Sequence, residues 1–283
     1  AGRVSQELGI KLLAINTSSE FMEIVKKPKH GYGSHMNPCL DCRILLFKKA
    51  KEAMEHEGAL FVITGEVLGQ RPMSQRLEAM RLIERESGLE GLVVRPLSAK
   101  VLAPTIPEQK GWIDREKLLA ISGRGRREQM NLATELGIND YPCPSGGCLL
   151  TDPGFSRRLK DLMRHQDLDL GDVNLLKIGR HFRLSPGLKL IVGRNESENN
   201  RLEALRKEGE PFFQPQELAG PTAILRGEIT DNSLLETASR IVAKYCDGAT
   251  SETKIRYLKN PLQEYIFIVS PIEEERLDSL RVS

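Results

Sequence analysis

The sequence contains no run of about 18 uninterrupted apolar residues, the length a membrane-spanning helix needs, and its first residues lack the basic, apolar, small-residue layout of a secretory signal. A cytoplasmic protein with no membrane partner is therefore expected. An excess of one charge is also missing. The 41 basic and 39 acidic residues leave a net charge of +2, so any nucleic-acid contact has to come from local clusters of basic side chains. Cysteine is scarce, five in 283 residues, a number both odd and too small for a disulfide framework. That leaves reduced thiols serving a metal or catalysis. Neither an internal repeat nor a low-complexity tract is present.

What is there is globular in composition, 40% apolar and 28% charged, and long enough for two domains. Residues 1–9 read as the tail of an amphipathic helix (Val4, Leu8) closed by Gly9, and residues 10–15 as a buried strand. A domain that opens on a helix tail feeding a strand has an earlier strand and helix in the usual parallel sheet, so the sheet reads as N-terminally incomplete. Helical patterns at 40–56 and 73–87 alternate with strand patterns at 60–64 and 92–95, and further helices follow at 115–121 and 126–136. This alternation predicts an α/β fold with a doubly wound parallel sheet, whose ligands sit beyond the strand ends at Ile15, Thr64 and Arg95. After a helix at 155–165, the polar stretch 166–172 marks a boundary near residue 170. The expected domains are 1–168 and 172–283, the second a small α+β domain with strands at 175–184, 188–192, 223–225, 254–258 and 265–269 and helices at 199–207 and 234–245.

The strongest chemical signal is Asn37-Pro38-Cys39-Leu40-Asp41-Cys42, a CxxC at a helix start, where the helix dipole favours thiolate over thiol. The second is Cys143-Pro144-Ser145-Gly146-Gly147-Cys148, whose glycines let the backbone bend and bring Cys148 to a partner. Four readings stay open: a closed zinc site on Cys39, Cys42, Cys143 and Cys148; an iron–sulfur cluster on Cys39, Cys42 and Cys148 with one iron open; a metal-free pair of catalytic thiols; and unrelated buried thiols. A third signal runs from Thr64 to Gln75 at a strand-to-helix junction, where glycines permit close approach of a nucleotide or simply make a tight turn. It is not a Walker loop.

Thr64-Gly65, Leu68-Gly69-Gln70 and Ser74-Gln75 resemble the nucleotide-pocket motif of tRNA 4-thiouridine synthases, which are PP-loop ATPases. The Asn-Pro-Cys-x-x-Cys segment and Gly147-Cys148 resemble the paired cysteines of tRNA 2-thiouridylases and the three-cysteine sites of iron–sulfur tRNA thiolases. The resemblance covers residues 1 to about 165 and implies a PP-loop (adenine nucleotide alpha hydrolase-like) sheet followed by the small α+β domain. It implies ATP with Mg2+ adenylating a uridine carbonyl oxygen, which sulfur from a cysteine or a cluster then replaces. By the same resemblance Cys42 matches the first catalytic cysteine, Cys39 completes the pair, and Cys148 is the second catalytic cysteine or the third ligand of a 4Fe-4S cluster, with zinc as the alternative metal. Thr64, Gly65, Glu66, Gly69 and Gln70 are implied to bind the nucleotide. Implied partners are tRNA and a sulfur donor such as a cysteine desulfurase or sulfide, with homodimerisation left open. The family's Ser-Gly-Gly-x-Asp-Ser phosphate loop is absent from these residues, since Ser145-Gly146-Gly147 runs into Cys148 and follows no strand. Either it lies upstream, as the helix-tail start suggests, or another subunit activates ATP.

In the second half, the stretches from Lys177 to Arg183 and from Val192 to Asn199 resemble the RNA-binding domain of NFACT-type ribosome-quality-control proteins. That resemblance implies RNA contacts from Arg180, His181, Arg183, Arg194 and Asn195, with basic side chains interleaved with Phe182 on a strand. The contrasting expectation is a solvated hairpin with Phe182 in the core. For the whole chain, the alternative to a tRNA sulfurtransferase is a noncatalytic RNA-binding protein with a structural zinc site.

Overall fold

The computed structural model describes residues 2–138, 141, 147–260 and 263–282. Cys143, named above as a zinc ligand, lies outside the described residues. The chain divides into two compact units, Ala1–Cys148 and Leu149–Ser283. The division precedes the helix at 153–165 rather than falling near residue 170.

The first unit runs α1 (Gly2–Glu7), α2 (Ser18–Lys26), α3 (Cys39–His56), β1 (Val62–Ile63), α4 (Leu77–Ser87), β2 (Val93–Val94), α5 (Ile106–Gln109) and α6 (Arg127–Glu135). Leu40, Ile44 and Phe47 recur at helical spacing along α3 and form one apolar stripe. Ile44 and Phe47 are buried there against Ile83 of α4 and against Leu89 and Val93. Each such side chain withdrawn from water contributes about 1.5–3 kcal/mol. α4 stops at Gly88, which takes the left-handed conformation and returns the chain toward β2. β1 and β2 pair in parallel, Val62 opposite Val93 and Ile63 opposite Val94, and among the described residues these two strands are the whole of that sheet. Residues 10–15 form no strand, and Ile10, Leu12, Leu13 and Ile15 are exposed. An apolar run becomes a buried strand only when a neighbouring edge takes its N–H and C=O groups and a layer covers it, and among the described residues neither is present. Residues 115–121 give only a short 3-10 turn, Arg115–Lys117, where a longer helix was expected.

The second unit contains α7 (Pro153–His165), α8 (Leu170–Leu175), β3 (Arg180–Ser185), β4 (Leu188–Val192), α9 (Glu196–Leu205), β5 (Phe212–Pro215), β6 (Ala223–Gly227), α10 (Ser233–Lys244), β7 (Thr253–Asn260), β8 (Gln263–Val269) and α11 (Glu274–Leu280). Its six strands form an antiparallel sheet in the order β3-β4-β6-β5-β7-β8. One face carries Phe182, Leu190, Phe213, Leu225 and Tyr257 against Ala238, Ile241 and Val242 of α10. The other carries Ile191 and Ile224 against Leu175 of α8 and Leu202 of α9. Helices on both faces explain why β4 is buried at all five positions. The polar stretch that suggested a linker instead enters α8, where buried Asp172 accepts from Arg226 Nη1 at 2.6 Å and from Gln166 Nε2 at 2.6 Å. α7 begins on Asp152, whose side chain accepts from the Phe155 N–H, with Pro153 at the first helical position. The molecule is thus a mixed α/β protein with a small parallel sheet and a separate antiparallel sheet.

Candidate functional site

α3 opens on Cys39, and the three-residue step to Cys42 sets both sulfurs on one helix face. The Cys42 N–H donates to the Pro38 carbonyl at 2.9 Å, closing the first turn. Cys39 and Cys42 are half-buried and Cys148 is exposed. The three are close enough to act on one another electrostatically. Burial pushes the Cys42 thiol above its ordinary range, Cys39 and Cys148 push it further, and only the Arg43 guanidinium works the other way. The expected thiolate preference at the helix start is therefore overturned at Cys42, because desolvation outweighs the dipole. Three gathered sulfurs have the donor chemistry of a soft-metal or cluster site, yet among the described residues no group of three or more His, Cys, Asp or Glu stands in metal-holding arrangement. Transfer between two sulfurs at a time needs no such geometry.

Asp41, inside the CxxC, is buried, and its carboxylate accepts from the His30 N–H at 2.9 Å, which ties the loop between α2 and α3 to the start of α3. The residue after Cys42 reaches the other candidate site. Arg43 pairs with Glu66, Glu66 also takes Arg95 Nε at 3.1 Å, and Arg95 pairs in turn with Glu84 of α4. Glu66 is 2% exposed. Its carboxylate is committed to two guanidiniums that join α3 to the end of β2, so it does not contact a nucleotide as the motif implied. Thr64 is half-buried, its hydroxyl accepting from the Glu66 N–H at 3.0 Å.

The 65–75 loop is held by its own bonds: Gly69 N–H to the Gln75 carbonyl at 2.6 Å, Gln70 N–H to the Val67 carbonyl at 3.1 Å, and Arg71 N–H to the Gln75 side chain at 3.0 Å. Ser98, fully buried, receives the Leu68 N–H at 3.0 Å and donates to the Ile121 carbonyl at 2.6 Å. Gly69 sits at φ +77° with Gly123 close beside it, so it shapes the loop rather than touching a ligand. Gly65 and Gln70 do line a pocket of about 320 Å³, together with Arg71, Arg126 and Gln129. Of these, Arg71 stands inside the Thr64–Gln75 motif and Arg126 in a basic cluster with Arg124 and Arg127, whereas Gln129 was not singled out from the sequence. The available signal was the helical spacing of Gln129, Met130 and Ala133, which puts them on one face of α6.

In the second unit, Arg180, Arg194 and Asn195 line a larger pocket of about 580 Å³ with Tyr245. Arg180 lies over the Tyr245 ring, 4.4 Å from its centroid, and donates to the Gly193 carbonyl at 3.2 Å. Asn195 caps α9 by accepting from the Glu198 N–H, and Arg194 forks onto the Glu198 carboxylate. His181 is 1% exposed, its Nε2 donating to the Ile178 carbonyl at 2.8 Å, so it faces the interior and not RNA. Arg183 is also turned in, onto Asp161 at 2.6 Å beside Lys189. Phe182 is in the core and, two residues from Arg180, shares its face of β3, both side chains meeting the Tyr245 ring.

Residues 3–100 match the family described as Thiamine biosynthesis protein (ThiI), and residues 179–281 match the NFACT protein RNA binding domain. No curated protein matches the chain. Among solved structures, the C-terminal of the fibronectin/fibrinogen-binding protein from Streptococcus suis covers 93% of this chain and 94% of its own at 12% identity, with a TM-score of 0.33, a likeness too slight to carry an argument. The first match contains Cys39, Cys42 and the 65–75 loop but not Cys148 or Gln129, and the second contains Arg180, Arg194, Asn195 and Tyr245. The chain is therefore similar to the ThiI family over residues 3–100 and to the NFACT RNA-binding domain over residues 179–281.

Proposed function

We propose that the chain is a tRNA sulfurtransferase component, in which Cys39, Cys42 and Cys148 handle sulfur destined for a uridine and the second unit holds the RNA. The observation that carries this reading is the gathering of Cys148 with the CxxC pair, in a unit whose first hundred residues match the ThiI family. Cys148 is exposed and so reachable by a sulfur donor or by the acceptor, while Cys42 is sheltered beside the Arg43 charge that offsets the cost of its thiolate. ATP with Mg2+ activates the uridine oxygen in this reading, with Gly65 and Gln70 beside the nucleotide. A cluster on Cys39, Cys42 and Cys148 would supply sulfide when bound; without one, a cysteine persulfide supplies the sulfur. In the second unit Arg180, lying over the Tyr245 ring, and Arg194 offer guanidiniums to phosphate.

The test is the thiouridine content of tRNA from cells lacking the gene. A thiouridine that disappears on deletion and returns with the wild-type gene supports the proposal; unchanged thiouridines overturn it. The match to a thiamine biosynthesis family supports a second acceptor, a thiamine precursor, and a thiamine requirement with intact tRNA would favour it. Iron, sulfide and zinc analysis of anaerobically purified protein, wild type beside Cys42→Ser, separates the ways of holding sulfur. Iron and sulfide lost in the variant indicate a cluster, whereas a thiol-bound extra sulfur without metal indicates a persulfide.

A further inference from the structure

The pocket beside the 65–71 loop is walled by apolar Val67, Leu97 and Met130 and has room for one nucleotide, about 320 Å³. Two features there are unexplained by the fold. The first is the Gln129 amide: both Nε2 and Oε1 are withdrawn from water, and neither has a hydrogen-bond partner among the described residues. Folded proteins pair nearly all such atoms, because desolvating an amide without replacing its hydrogen bonds is costly. An orphaned amide lining a cavity marks the place where a ligand completes the pair. The second feature is charge. Arg71 and Arg126 line the same pocket, and no acidic side chain forms a salt bridge with either among the described residues.

A carboxamide presents one donor and one acceptor side by side in a plane. Its complement is a flat ring edge that carries an acceptor next to a donor, which is the edge of a nucleobase. The apolar walls suit the ring faces and the two guanidiniums suit a phosphate. We propose that Gln129 is the base-reading residue of a nucleotide site in this pocket, with Arg71 and Arg126 taking the phosphate. The nucleotide is a free one or a single residue of an RNA strand; the two share this chemistry. The proposal deepens the nucleotide reading of Gly65 and Gln70 and makes no use of sulfur transfer. Failure of the wild-type protein to bind any nucleotide probe, with tRNA thiolation intact, would remove this proposal alone.

The test is titration of the whole chain with AMP, UMP and GMP, and with a short uridine-containing oligonucleotide, at one fixed salt concentration. Gln129→Leu is expected to weaken the preferred nucleotide by roughly tenfold to a hundredfold, the worth of one bidentate base contact. Arg126→Ala is expected to weaken binding of every phosphorylated probe alike. Gln129→Glu is diagnostic, because a carboxylate accepts twice and donates nothing: preference is expected to move toward GMP, whose ring edge carries two adjacent donors. Gln129→Leu also removes an unsatisfied amide, so its unfolding midpoint is expected to equal or exceed that of the wild type, which separates lost recognition from lost folding. Tighter binding of AMP than of the uridine probes identifies a free adenine nucleotide, and the reverse identifies an RNA residue. Failure of every probe to bind, or equal affinities in wild type and Gln129→Leu, overturns the proposal.

Discussion

Glu66 shows how a motif residue can be important without touching a ligand. It stands where the thiouridine-synthase resemblance implies nucleotide contact, yet its two oxygens are taken by Arg43 and Arg95, and Arg95 is 5% exposed. Removing one member of a buried ion network leaves its partner charged and desolvated. Glu66→Ala is therefore expected to lower stability by about 3–5 kcal/mol in urea unfolding, and a variant that stays fully stable but loses nucleotide binding would contradict this assignment. His181 makes a parallel case in the second unit. Burial holds its imidazole well below the ordinary range, with Lys189 and Arg158 pushing the same way. The unfolded chain takes up a proton near pH 6.5 while the native one does not, so the stability present above that pH is lost as pH falls toward the lower folded value. Asp161 acts in the same sense further down: burial would raise its carboxyl, but the bonds from Arg183 and Lys189 outweigh it and hold it below the usual range. The urea midpoint is expected to fall on acidification from pH 7, and His181→Leu is expected to flatten the upper part of that fall. A slope between pH 7 and 5 equal to that of the wild type would contradict it.

At the scale of elements, the sequence made α3 and α10 legible through the helical spacing of Ile44 and Phe47 and of Ala238, Ile241 and Val242. It made β4 legible through a short apolar run closed by Gly193. What it did not reveal follows from partners that lie far away in sequence. Residues 10–15 have the apolar content of a strand, but pairing depends on an edge that local pattern cannot supply. α8 was read as a linker because Asp172 looks solvated until Arg226, on β6, is brought to it. Within the 65–75 loop the two glycines were given one role, and they have two. Gly69 needs its positive φ, so Gly69→Ala is expected to cost about 1–2 kcal/mol in thermal or urea unfolding. Gly65 has no positive φ and open space around its Cβ position, so Gly65→Ala is expected to leave stability nearly unchanged. Equal losses in the two variants would show that the loop is not held as described.

For the molecule as a whole, the paired cysteines were legible from the CxxC spacing, and their association with Cys148 is supported by the charge they exert on Cys42. Gln129 was not legible, because a glutamine on a polar helix carries no signal until its amide is found buried without a partner. The division between Cys148 and Leu149 has a direct consequence. A 149–283 fragment is expected to unfold cooperatively, whereas 172–283 lacks Asp161 and leaves buried Lys189 without its carboxylate, so it is expected to be markedly less stable or unfolded. Equal midpoints for the two fragments would argue for the later boundary. The central claim is that Cys148 works with Cys39 and Cys42 on sulfur bound for tRNA. Its most direct test is the thiouridine content of tRNA from gene-deleted cells that carry the wild type, Cys42→Ser or Cys148→Ser at matched protein levels. The account predicts thiouridine with the wild type and a loss of at least tenfold with either variant; full thiouridine with Cys148→Ser would contradict it.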